Sequence, residues 1–208
     1  MEILAVLLLI SVFVLTRTTR LSTAVHILLA QSAVVAAACA VAGWQAGEVH
    51  MFAAALLTVV IKAGLIPYAL LRLVRLLKRE REVNPVVGPN GSSLAAVAAM
   101  VLAYGLIERA LPAVVSRDAV ATAVALVLIG LFLIITRRQA IMQIVGLITV
   151  ENGLYLLGLS TTRGLPLIIE LGIFFDVLVM VTVMVILTFR LKRSFQTTDT
   201  SILKRLKG

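Results

Sequence analysis

The chain has 208 residues, 61% of them hydrophobic, and a mean hydropathy of +1.10. A soluble domain is roughly 45 to 50% apolar and does not gather its apolar residues into long blocks, so a water-soluble globular fold is excluded. The formal charge of +9 comes from short basic clusters at the ends of those blocks, without interleaved aromatic residues; it points to orientation signals and contacts with anionic membrane lipids, and away from nucleic acid.

The apolar blocks predict an all-α integral membrane protein with seven transmembrane helices. The first, Ile3 to Leu15, falls short of the roughly 20 residues a crossing needs and requires thinned bilayer or neighbours. Glu2 stands where a signal peptide would carry positive charge, and no small-residue cleavage pattern follows, so this helix is expected to be retained. The second, Leu21 to Ala46, carries His26, Gln31 and the single cysteine, Cys39, which excludes an internal disulfide or a CxxC motif and reads as packing. With His50 as the only other histidine, one chain cannot readily hold a bis-histidine haem, so no cofactor is expected in it.

The third helix, Met51 to Leu77, holds Lys62 in the string TVVIKAGLIP. Pro67 has no amide to donate, which frees the carbonyl of Ala63 beside the lysine and predicts a local helix break. Lys78 to Ser93, ending NPVVGPNGSS, reads as an irregular loop. A fourth helix, Leu94 to Val115, places Tyr104, Glu108 and Pro112 at successive i+4 positions, with Glu108 near the outer interface. Helices at Ala119 to Thr136, Ile141 to Leu159 and Leu165 to Phe189 follow, then a basic tail.

Orientation checks the count, because Lys and Arg gather in cytoplasmic loops. Seven crossings place 15 of the 19 basic residues on one side and leave Arg109, Arg117 and Arg163 on the other, with Lys62 inside. The N-terminus is then outside and the C-terminus cytoplasmic. The strings LLLISVFVLTR at 7–17 and LVLIGLFLIITR at 126–137 both lead into a further helix and suggest a parallel three-helix repeat. The expected units are 1–77, a cytoplasmic loop 78–93, a linking helix 94–115, a second three-helix unit 116–193 and a cytoplasmic tail 194–208. Matching Lys78-Arg79 with Lys192-Arg193 sets Lys62 opposite Asp176 in the repeat.

Three ionisable residues, Lys62, Glu151 and Asp176, stand near the middle of apolar segments. A charge at the centre of a membrane helix costs roughly 2.5 to 3.5 kcal/mol even on the lenient insertion scale, so each is a candidate for an ion path. Glu151 and Asp176 lie ten and eleven residues into helices six and seven, both about 15 Å deep, where antiparallel neighbours could bring the carboxylates close enough to share a proton. Thr149, Asn152 and Tyr155 lie within a turn of Glu151 and could extend a hydrogen-bonded chain, or simply bond between helices. Glu170, just after Pro166, either joins the path or favours the helix N-terminus. His26 and Gln31 could carry the path towards the cytoplasm, although a lone histidine is more often an ordinary hydrogen-bonded residue. No GxSxG, HExxH or Walker loop occurs.

The stretch RRQAIMQIVGLITVENGLYLLGLSTTRGLPLIIELGIFFDVLVMVTVMVILTFRLKR, 137–193, resembles the last helices of component E of hydrogenase-4-type complexes, a family similar to the three-helix K subunit of respiratory complex I and the C subunit of Mrp cation antiporters. IKAGLIP on the third helix also fits the longer component E pattern. The resemblance implies a non-catalytic subunit of the plasma (cell inner) membrane, beside antiporter-like membrane subunits and a peripheral nickel–iron (NiFe) hydrogenase or formate hydrogenlyase arm that holds the redox centres. It also implies a proton path through a middle-helix glutamate, matched by Glu151, and a last-helix glutamate, matched by position only in Asp176. Asn152 directly after Glu151 departs from the usual spacing of the K-type subunits. The resemblance leaves two alternatives, a component of an Mrp-like cation/proton antiporter and a purely structural scaffold in which the charges form static pairs.

Overall fold

The computed structural model describes residues 2–47, 49–77, 81–82, 85–110 and 117–161, together with positions 178, 181, 185 and 189. The described residues form α1 (Glu2–Arg17), α2 (Leu21–Ala46), α3 (Val49–Leu57), a π-helical segment (Thr58–Leu65), α4 (Ile66–Leu77), α5 (Pro89–Ala110), α6 (Arg117–Thr136) and α7 (Ala140–Thr161). Among the described residues there is no strand, only an isolated antiparallel bridge between Arg20 and Arg81.

Among the described residues, five rods are long and apolar enough to cross a bilayer: α2, the continuous α3–π–α4 rod, α5, α6 and α7. Of the seven expected crossings the structure thus describes five, while α1, at 16 residues, stays the short apolar helix its block predicts. The seventh lies almost wholly outside the described residues. Within it Leu178, Val181, Val185 and Phe189 are helical, and Val181 and Val185 pack against the main core.

One boundary differs from the sequence expectation. α5 begins at Pro89, within the string read as irregular loop. Proline suits the first helical turn because the amide it lacks has no partner there. The Ser92 amide reaches Gly88 O at 2.9 Å and the Ser93 hydroxyl reaches Pro89 O at 2.9 Å, so the turn-forming string is the helix start itself.

The core is built around α6 and α7, which approach so closely that glycine is required between them. A Cβ on Gly130 would lie 2.8 Å from Gly146 O, one on Gly146 would lie 2.9 Å from Gly130 O, and one on Gly153 would lie 2.8 Å from Ala123 O. In a lipid environment, where apolar burial does not drive helices together, this backbone-to-backbone packing supplies the dispersion contact that does. α1 packs on α6 and α2, and α2 packs in turn on α7 and on the α3–π–α4 rod. α5 rests on α6 and α1 and turns Leu94, Val97, Val101, Leu102 and Leu106 outward, as a lipid-facing helix does.

At one end of the bundle the α1–α2 turn, the α6–α7 turn and the segment after α4 are tied together. Arg137 Nη1 donates to Glu82 Oε2 at 3.0 Å, and Arg137 Nη2 donates to Thr16 O. Glu82 Oε1 accepts the amides of Arg138 at 2.8 Å and Gln139 at 3.3 Å, while the Glu82 amide bonds Thr19 O at 2.9 Å. The carboxylate thereby sits over the N-terminus of α7, where exposed amides favour negative charge.

Candidate functional site

The site begins with an irregularity in the backbone. The Ile66 amide bonds Ile61 O, five residues back, so the helix is wider than an α-helix through Thr58–Leu65. In this register the donor missing at Pro67 is the one for the carbonyl of Lys62, whereas a regular α-helix would leave that of Ala63. The break expected at Pro67 is therefore a widened segment inside a continuous rod, with α4 starting one residue before the proline.

Lys62 projects from this segment into the interior, fully buried, and its Nζ lies 2.9 Å from Glu151 Oε1 on α7. Glu151 is buried as well. Both charges are withdrawn from solvent, where each is tolerated only because the other is beside it.

Other buried polar groups line the helices that meet here. On α7, Thr149 Oγ1 donates to Val145 O at 2.8 Å and lies 3.3 Å from Gln31 Oε1 on α2, joining the two helices. Gln31, Ser32 and Asn152 are all fully buried, and Gln31 Nε2, Ser32 Oγ and both amide atoms of Asn152 have no hydrogen-bond partner among the described residues. Thr58, one turn before Lys62, donates to Ala54 O at 2.9 Å. One turn beyond Glu151, the Tyr155 hydroxyl lies 3.0 Å from Cys39 Sγ, and that thiol donates to Met51 O at 3.2 Å. These buried polar contacts, Gln31 with Thr149, Lys62 with Glu151 and Tyr155 with Cys39, make up a polar seam on α2, the π segment and α7.

Of the residues singled out from the sequence, Lys62, Glu151, Asn152 and Tyr155 are buried in this region, and Gln31 joins them from α2. His26 does not: it is exposed on α2, with Nδ1 2.7 Å from Ser22 O of its own helix. Asp176 and Glu170 lie outside the described residues, so the expected carboxylate pair of Glu151 with Asp176 does too. The contact that is described, Lys62 with Glu151, crosses between the two parts of the chain. Glu108 lines a separate cavity of about 220 Å³ between α5 and α6, with Arg117, Asp118 and Tyr104, whose hydroxyl lies 3.3 Å from Thr122 Oγ1.

Sequence reasoning passed over Ser32 and Thr58 and read Cys39 as packing. A signal for the α2 residues exists. Gln31-Ser32 stands fourteen and fifteen residues after Arg17, and Glu151-Asn152 stands fourteen and fifteen after Arg137. α1 packs on α6 and α2 on α7, so the matching helices are neighbours in space. No group of three or more His, Cys, Asp or Glu able to hold a metal occurs among the described residues.

Residues 118–208 match the family described as NADH-ubiquinone/plastoquinone oxidoreductase chain 4L. An uncharacterised protein of Mycobacterium tuberculosis is 32% identical over 186 residues, 88% of this chain and 84% of that protein. Hydrogenase-4 component E of Escherichia coli K12 is 35% identical over 92 residues, 44% of this chain and 43% of that protein, and the component E of Shigella flexneri matches to the same extent. No solved structure matches the chain. The chain belongs to one family with the mycobacterial protein, and its C-terminal part makes it a relative of hydrogenase-4 component E and of the chain 4L subunits of complex I.

Proposed function

We propose that this protein is an ion-conducting membrane-arm subunit of a hydrogenase-type, complex I-like assembly, in which Glu151 exchanges a proton or sodium ion and Lys62 modulates its charge. The observation that carries the reading is the buried contact of Lys62 Nζ with Glu151 Oε1 at 2.9 Å, set where the helix departs from α geometry. Ionisable residues at such depth are expensive and mark ion paths, and π segments recur at functional positions.

In this reading Thr149, Gln31, Asn152 and Tyr155 supply the donors and acceptors that water or a protonated group needs on either side of Glu151, and Asp176 and Glu170 on the last helix continue the path. The basic end of the bundle faces the cytoplasm, where a peripheral nickel–iron arm carries the redox chemistry and this chain none. Antiporter-like subunits adjoin it in the cell inner membrane.

The test is Glu151→Gln in the assembled complex. It abolishes ion translocation while leaving hydrogen evolution with soluble dyes; unchanged translocation refutes the reading. Purification of the intact complex with a nickel-containing subunit separates it from an Mrp-like antiporter, which would use the same carboxylate without hydrogenase.

A further inference from the structure

The seam is made of oxygen donors suited to a hard cation. The carboxylate of Glu151, the amide oxygens of Gln31 and Asn152 and the hydroxyls of Ser32, Thr58 and Thr149 are all buried on the helices that converge there. Carboxylate, carbonyl and hydroxyl oxygens are the ligands that hard cations select. Yet the charge that meets the carboxylate is an ammonium: Lys62 Nζ stands at 2.9 Å, the distance of a charge-assisted hydrogen bond, from Glu151 Oε1.

Resting on the ion-path reading of Glu151, we propose that Lys62 is the specificity-determining residue of this site, a tethered monovalent cation that holds the place on the Glu151 carboxylate which a sodium ion would need. Two consequences follow from its being covalently attached. A tethered group acts at an effective concentration on the order of millimolar or above whatever the medium contains, so a free sodium ion must displace a competitor that cannot diffuse away. A proton needs no displacement. It moves from Nζ to Oε1 within the pair, breaking an N–H bond and forming an O–H bond, and leaves a neutral amine beside a neutral acid. The site therefore handles protons and refuses sodium, and replacing Lys62 by a neutral side chain turns it into a sodium site.

The experiment follows thermal unfolding of the purified full-length chain in detergent at alkaline pH, with sodium chloride against choline chloride at equal ionic strength. The wild type unfolds at the same temperature in both. Lys62→Gln or Lys62→Met unfolds roughly 3 °C or more higher in sodium at about ten times its Kd. Lys62→Arg, which keeps a tethered cation, behaves as the wild type, and Lys62→Gln combined with Glu151→Gln loses the rise. A sodium-dependent rise in the wild type, or none in either neutral variant, overturns the proposal. If neither neutral variant can be purified, the wild-type titration decides alone, a flat response supporting the proposal and a rise overturning it. None of these readouts measures translocation, so a failure of the ion-path reading, seen as unchanged pumping in Glu151→Gln, is registered separately.

Discussion

Arg137 and Glu82, 55 residues apart in sequence, form a buried two-way clamp: the guanidinium spans from Glu82 Oε2 to Thr16 O, while the other carboxylate oxygen receives the first amides of the α6–α7 turn. Both side chains are almost fully enclosed. Removing one partner leaves a desolvated charge, which typically destabilises by about 3 to 5 kcal/mol, whereas replacing both with apolar groups is often neutral. Glu82→Ala is accordingly expected to lower the unfolding temperature of the detergent-solubilised chain sharply. Glu82→Leu with Arg137→Met should recover most of the loss, and a mild effect of the single change would show that the clamp is not buried in the folded protein.

The same logic separates structure from transport at the central pair. Lys62→Met alone is expected to lose about 3 to 5 kcal/mol in sodium-free medium, because Glu151 is left without its partner. Adding Glu151→Leu should return stability towards the wild-type value while ion translocation by the assembled complex stays absent. Recovery of translocation together with stability would identify a static scaffold.

Between α6 and α7 there is no room for a side chain at Gly146, whose Cβ would sit 2.9 Å from Gly130 O and 3.1 Å from Ile134 N. Because backbone cannot swing aside as a side chain can, Gly146→Ala should cost about 1 to 3 kcal/mol and Gly146→Val more. Urea or thermal unfolding of the two variants measures the order. Gly105, with nothing within 4 Å of its would-be Cβ, serves as the control and should accept alanine without loss.

Tyr155→Phe removes the hydroxyl beside Cys39 but leaves the thiol its acceptor at Met51 O. The expected stability loss is about 1 kcal/mol, the usual net worth of one hydrogen bond. In the assembled complex the proposed path predicts slower translocation at unchanged hydrogen evolution. Equal rates for Tyr155→Phe and wild type would remove the tyrosine from the path.

How far the amino-acid sequence discloses this architecture differs from element to element. α2, α6 and α7 fall within two residues of their hydrophobic blocks, because length and apolarity are local properties. The start of α5 was misread since Pro-Asn-Gly-Ser reads as a turn wherever it stands, and only the bond of Ser92 N to Gly88 O distinguishes a first helical turn. Lys62 and Glu151 were each legible as costly charges, but their partnership was not. The repeat set Lys62 opposite Asp176, while contact depends on α2 packing on both α7 and the π segment, a tertiary fact with no local pattern. Glu82 was hidden for a similar reason: it lies in a charged stretch of sequence that reads as solvated, and only the fold buries its carboxylate under two turns.

The two sides of the central contact differ in stiffness. Glu151 rides on a helix bolted backbone to backbone onto its neighbour at Gly130, Gly146 and Gly153, so that sliding or turning it would drive main-chain atoms into one another. Lys62 hangs from a stretch whose hydrogen bonds span five residues, and its own carbonyl loses its donor at Pro67, so fewer backbone bonds brace it. Any stroke that opens and closes this contact is therefore made by the lysine, with the glutamate as the anvil.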